Sequence, residues 1–247
     1  DVGMPRLLFS RTTELQRMRC IVQSPRVRLS QCGLRMRPVL IVTTSLIAWF
    51  FVGPRQAGAT VLHVPGEYLS IQAALDNLQH GDTILVEVGV YAEALHAPDL
   101  SFTLLGNVIP DTGDYPRPVI DPSSLPGSDS LACLVLPDST ASVAIIDMVF
   151  RNDRDLDSLE EWFVGGIDNS TALLTLTRCT FDSVFIGVRG GHRIEIGNCR
   201  FQDNLILCVG NWQGSTRAVN SLFSCRGGGG SNVYAMSHSS FSQCEFA

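Results

Sequence analysis

Apolar residues recur with two periods along this chain, and the change from one to the other is abrupt. In "SIQAALDNLQHG" Ile71, Ala74, Leu75 and Leu78 fall at i, i+3, i+4 and i+7, the one-sided stripe of an amphipathic helix. Ser70 suits the N-cap, because its hydroxyl accepts a backbone N–H that the first turn leaves unpaired, and Gly81 suits the left-handed residue that stops a helix. From Thr83 to Val90 the period drops to two, with Ile84, Val86 and Val88 on one face, which predicts a strand. Beyond it no segment keeps a helical period; short alternating runs are separated by Gly, Asn, Asp, Pro and Ser.

Those runs repeat. "VAIIDMVF", "LLTLTRCTF", "IEIGNCRF" and "SFSQCEF" each hold two inward positions two apart, a two-residue corner, and two more ending in Phe. The sets are Val143, Ile145, Met148, Phe150, then Leu174, Leu176, Cys179, Phe181, then Ile194, Ile196, Cys199, Phe201. Thr216, Ala218, Ser221, Phe223 and Ser239, Phe241, Cys244, Phe246 continue them more weakly. The Phe residues are 31, 20, 22 and 23 positions apart. Strands repeating at such a period predict a solenoid, in which each unit buries its apolar face only by stacking on its neighbours. Side chains alternate in and out along a strand, so the jump of three at the corner lets the chain bend from one sheet to the next with both pairs still inward. The predicted fold is all-β: a parallel β-helix of about three short strands per coil, with stacked Phe and Cys ladders and a short N-terminal capping α-helix. The helix answers a need, because the first coil otherwise presents unpaired backbone and bare core. The longest Phe interval leaves room for an insertion, and "RDLDSLEEWFVGG" fits it.

The N-terminal part has another character. From Met36 the sequence reads "MRPVLIVTTSLIAWFFVGPRQAGAT": a positive start at Arg37, an apolar run Val39–Val52, and the small-x-small site Ala57-Gly58-Ala59. This predicts a signal peptide over 36–59, cleaved near Ala59, and a secreted or cell-surface protein. The run is shorter than the ~20 residues of a span, so no stable membrane span is expected after cleavage. Residues 1–35 read as a non-native or disordered upstream extension. Residues 60–247 form the β-helix domain, and since the chain stops on a core Phe, further coils are expected beyond it.

Charge sharpens the division. All 18 basic residues are Arg; nine lie in 1–59 and nine in 60–247, where 22 acidic residues give a net charge of −13. So acidic a body excludes nucleic acid as the expected partner.

"SIQAALDNLQHGDTILVEVGVYAE" closely resembles the opening of pectin-lyase-like right-handed parallel β-helix proteins, where a capping helix leads into a Gly-Asp-Thr strand and a Gly-x-Tyr turn, and "VAIIDMVFRN" resembles a later coil of that group. The resemblance covers about residues 60–247. It implies a right-handed coil and, for many members, chemistry on acidic polysaccharide; the superfamily also includes tailspikes and adhesins. The methylesterase motif Gly-x-x-Asp-Phe-Ile-Phe-Gly, the paired-Asp segments of polygalacturonases and a recognisable lyase Arg are missing, so no catalytic residue is assigned.

The candidate binding residues are aromatic. Trp162, Trp212 and Tyr234 fall in or beside expected loops and Phe185 on an expected strand face, where flat rings serve to stack on sugars. Arg189, His192, Arg193 and Arg217 suit contacts to acidic sugars by charge-assisted hydrogen bonds. Asp153, Asp155 and Asp157 offer hard oxygens to Ca²⁺, without the Gly and Glu of an EF-hand; a solvated charged loop is the plainer reading, and no other cofactor is indicated. Cys179 and Cys199 are placed on adjacent coils, within disulfide range, yet share a face with the ladder Phe and read rather as buried thiols. "RGGGGSN" lacks the Lys-Ser/Thr of a phosphate loop and reads as a turn. Extracellular polysaccharide is thus the expected partner, with a lyase or hydrolase of acidic polysaccharide and a structural adhesin as alternatives; no oligomeric state is indicated. Catalysis predicts carboxylates, or a carboxylate and a basic residue, converging at coil spacing on the outer face of a sheet. Binding predicts aromatics there.

Overall fold

A computed structural model describes residues 58–108, 115–126, 132–138, 140–152, 165–170, 172–211, 214–225, 233–235 and 239–247. All belong to one compact unit, Arg55–Ala247. Residues 1–57, the acidic insertion with Asp153, Asp155, Asp157 and Trp162, and also Trp212 and the Gly-rich run lie outside the described residues.

The described residues form three sheets. Sheet A stacks β1 (Val61–Val64), β2 (Thr83–Val86), β5 (Phe102–Gly106), β8 (Ser142–Ile146), β11 (Leu173–Thr177), β14 (Arg193–Gly197), β17 (Ser215–Val219) and β20 (Ser239–Ser242). Sheet B stacks β3 (Val90–Tyr91), β6 (Val119–Ile120), β9 (Val149–Arg151), β12 (Thr180–Asp182), β15 (Arg200–Asn204), β18 (Leu222–Cys225) and β21 (Glu245–Phe246). Sheet C stacks β4 (Leu95–His96), β7 (Leu134–Leu136), β10 (Ile167–Asn169), β13 (Ile186–Arg189), β16 (Leu207–Asn211) and β19 (Val233–Ala235). Every pairing is parallel, and from β2 onward the chain visits A, B and C in turn before moving up one rung. Three all-parallel sheets with regular rungs, and almost no helix, are compatible with a parallel β-helix.

The register reproduces the sequence repeat residue by residue. Leu174 pairs with Val143 below and Ile194 above, and Ile194 with Thr216. On sheet B, Phe150, Phe181, Phe201 and Phe223 pair in succession and are fully buried. Their rings stack with centroids 5.0, 4.6 and 5.0 Å apart and planes within 14°, and Phe246 extends the stack at 5.2 Å. Each buried ring contributes roughly 1.5–3 kcal/mol from area alone, with about 0.5–1.5 kcal/mol more per aromatic pair. Met148, Cys179, Cys199 and Ser221 form the neighbouring buried ladder at the A-to-B corner.

The corner is sharper than the two-residue spacing suggests. One residue per coil carries the bend in the left-handed conformation: Asp147 (φ 58°), Arg178 (53°), Asn198 (54°), Asn220 (48°) and Gln243 (53°). Asp and Asn tolerate it best among residues with a Cβ. The residue after it already points inward, and the corner side chain is thrown outward. The return corner from C to A is held by buried amides: Asn169 donates to the Ala172 carbonyl at 3.1 Å, and Asn211 accepts from the Gly214 N–H at 2.8 Å.

Helix α1 spans Ile71–Leu75, shorter than its apolar stripe, with Ser70 accepting from the Ala73 N–H at 3.1 Å. Asn77 and Leu78 follow in a tighter turn that bonds three residues back, which still buries Leu78. Gly81 (φ 89°) does not end the helix; it turns the chain into β2. The helix packs on β1, β2 and β4 through Ile71, Ala74 and Leu75. A second cap was not foreseen: the Glu93 carboxylate accepts from the N–H groups of Ile71 and Gln72 at 3.0 and 2.9 Å.

Candidate binding groove

The outward corner residues line up along the stack, because each coil repeats the same bend one rung higher. The lowest, Asp147, has a side chain only 3% exposed. Arg178, one rung up, grips it with both prongs of its guanidinium, Nε to Oδ1 at 2.8 Å and Nη2 to Oδ2 at 2.5 Å. The Tyr115 hydroxyl donates to the same Oδ1 at 3.0 Å. Hydrogen bonding to Asp147 holds the Arg178 guanidinium above its ordinary pKa, against the opposing effect of burial. The ladder continues upward in amides, Asn220 donating to the Asn198 Oδ1 at 2.6 Å.

Residues 115–118 lead into β6 beside this ladder. The Pro118 carbonyl accepts from the Val149 N–H at 2.9 Å, and the Arg117 Nη1 donates to the Arg178 carbonyl at 2.6 Å. The Arg117 guanidinium also lies 5.7 Å from the centre of the Tyr115 ring. Between this segment and the corner runs a groove of about 590 Å³, lined among others by Tyr115, Arg117, Arg178, Thr180, Asn198 and Arg200.

Its charge is opposite to that of the body. Arg178 is neutralised by Asp147, whereas Arg117 and Arg200 have no carboxylate partner among the described residues. Two guanidiniums thus face a cavity that also offers amides, a hydroxyl and one aromatic ring. Guanidinium forks match carboxylate or sulfate oxygens, and the amides suit sugar hydroxyls.

The residues singled out from sequence are distributed otherwise. Phe185 is not on a strand; it occupies the turn between β12 and β13 and is 9% exposed. Tyr234 lies within β19, paired with Gly210, rather than in a loop. Arg189 pairs with Asp168 of the rung below at 3.1 Å, and Arg193 with Glu195 at 2.5 Å. Arg217 stands in register with Glu195, and His192 is exposed. Arg151 pairs with Asp182 of the next rung at 3.2 Å. These outer-face pairs chiefly couple rungs, which accounts for their opposite charges at coil spacing. Of the described binding candidates, Phe185, Arg189, His192, Arg193 and Arg217 do not line the groove, whereas Cys179 and Cys199, read as buried ladder thiols, form part of its floor. Its polar residues were missed, although the corner position before Met148, Cys179, Cys199, Ser221 and Cys244 marks all five ladder members in the sequence.

No protein-family model, curated protein or solved structure matches the chain.

Proposed function

We propose that this is an exported right-handed parallel β-helix protein of the pectin-lyase-like kind that binds anionic extracellular polysaccharide in the A–B corner groove. The observation that carries the reading is a pair of guanidiniums, Arg117 and Arg200, without a carboxylate partner among the described residues, on a cavity of about 590 Å³ in an otherwise acidic domain. Handedness follows from the general rule that parallel crossovers turn right-handed. Export follows from the apolar run and small-residue site before Thr60. In this reading α1 covers the N-terminal rung, since it packs where β1 and β4 are the outermost strands of sheets A and C.

A second reading rests on sheet A. Glu195 stands beside Arg193 and in register with Arg217, next to hollows of about 190 and 280 Å³, an arrangement that suits a lyase or hydrolase of acidic polysaccharide. One experiment separates the readings. The protein is run through native gels cast with acidic or neutral polysaccharides, with and without Ca²⁺, while new reducing ends and unsaturated uronates are followed. Retardation by acidic polysaccharide alone, lost on Arg117→Gln/Arg200→Gln, is the expected result. New chain ends abolished by Glu195→Gln make it an enzyme, and silence in every arm leaves the structural adhesin.

A further inference from the structure

Two cysteines that take no part in the groove meet at the boundary of two coils. Cys208 lies in β16 of sheet C and is fully buried. Cys225 ends β18 of sheet B one coil further on, in register with Asn204, and is half-buried. Their Sγ atoms stand 2.9 Å apart. That is inside the contact distance of two unbonded sulfurs and a short movement from the ~2.05 Å of a disulfide. Cys208 also reaches the Ser224 carbonyl at 3.5 Å, and the other buried thiols have carbonyl partners too: Cys133 on Gly165 at 2.9 Å, Cys179 on Ile145 and Cys199 on Gly197, both at 3.4 Å, with the Cys199 sulfur also accepting from the Cys179 N–H at 3.4 Å.

We propose that Cys208 and Cys225 form a disulfide that staples two successive coils across the B–C corner. The bridge closes a segment of about one coil, so it adds a covalent tie between two rungs that backbone pairing and the Phe stack already join. It does not rest on the polysaccharide reading. The two thiols divide the labour of oxidation. The hydrogen bond from Cys208 draws the Cys225 thiol below the ordinary cysteine pKa, while the same contact, with burial, pushes Cys208 up. The half-buried Cys225 thiolate therefore attacks a small disulfide such as oxidised glutathione and expels one glutathione thiolate. Cys208 then attacks the Cys225 sulfur of the mixed disulfide, and its proton leaves with the second glutathione. In sum two protein thiols and one small disulfide become one protein disulfide and two small thiols, two electrons passing to the reagent.

The full chain is equilibrated with oxidised and reduced glutathione, quenched with N-ethylmaleimide, digested with trypsin without reduction, and mapped by mass spectrometry. Cleavage after Arg200, Arg217 and Arg226 puts Cys208 in peptide 201–217 and Cys225 in 218–226, apart from every other cysteine. The expected product is the linked pair of these peptides, 2 Da below their sum. The same two peptides carrying the maleimide, or Cys225 linked elsewhere, overturn the proposal; this readout needs no variant. Reduction is expected to lower Tm by about 6–12 °C in the wild type and to leave Cys208→Ser unchanged. An equal fall in both proteins refutes the staple.

Discussion

Asp82 joins three pieces of chain that are separate in sequence. Its side chain is buried; Oδ1 accepts from the Thr60 N–H at 2.8 Å and Oδ2 from the Gln79 N–H at 2.7 Å. The turn after α1, the start of β1 and the start of β2 are therefore fixed by one carboxylate, which gives the Gly-Asp-Thr stretch a structural reason. Burial opposes its ionisation, but the two N–H groups outweigh it and hold the pKa below the ordinary 3.8. A depressed folded-state pKa gives stability that is complete above the unfolded value and is lost as pH falls through the folded one. Wild-type protein is thus expected to lose stability below pH ~4. Asp82→Asn should be weaker at pH 7 and flatter through the acid range in urea titrations; parallel curves for the two proteins would contradict this. Arg178 illustrates the opposite economy. Its left-handed backbone costs about 1–2 kcal/mol for an ordinary side chain, and the fork onto Asp147 is what its outward position makes available in return.

At the level of elements, the Phe ladder of sheet B is the continuous spine of the domain. Phe201 shares the closest contact of the stack, 4.6 Å from Phe181, and lies 5.0 Å from Phe223. Gly187 leaves room for it, since a Cβ there would stand 2.8 Å from the Phe201 ring and 2.4 Å from the Cys208 carbonyl. Phe201→Ala is expected to cost about 3–5 kcal/mol and Phe201→Leu far less, read from urea midpoints; equal costs would mean that the ring stacking, and not the buried volume, carries the ladder. The ladder was legible in sequence because inward positions alternate locally and Phe marks the same place in each coil. The helix length was not, because a tight turn after Leu75, bonded three residues back, decides where it ends while still burying Leu78. Nor was the sharpness of the corner, since one left-handed residue and a two-residue bend leave the same spacing of apolar positions.

For the whole molecule the decisive quantity is the separation of charge. The domain carries a net −13, yet the groove gathers Arg117 and Arg200. No local motif shows this, because Arg117 and Arg178 are 61 residues apart and only rung stacking brings them together. On the proposed reading a polyanion is repelled by the body at long range and held by the groove at short range, and salt screens the first more than the second. Retardation by acidic polysaccharide is therefore expected to peak near 0.1 M salt, where the Debye length is about 10 Å, and to weaken on either side. Arg117→Gln/Arg200→Gln should remove the retardation, and with it the peak, at every salt concentration, whereas a neutral polysaccharide should show no salt response. The rung-by-rung pairing has a mechanical side as well. Each coil is tied chiefly to the coil above and the coil below, so a pulled stack is expected to yield one loop of chain at a time. A coil of 22 residues releases roughly 75 Å of extended chain, and a molecule built this way lengthens under load in steps set by the length of each coil and keeps the rungs not yet reached.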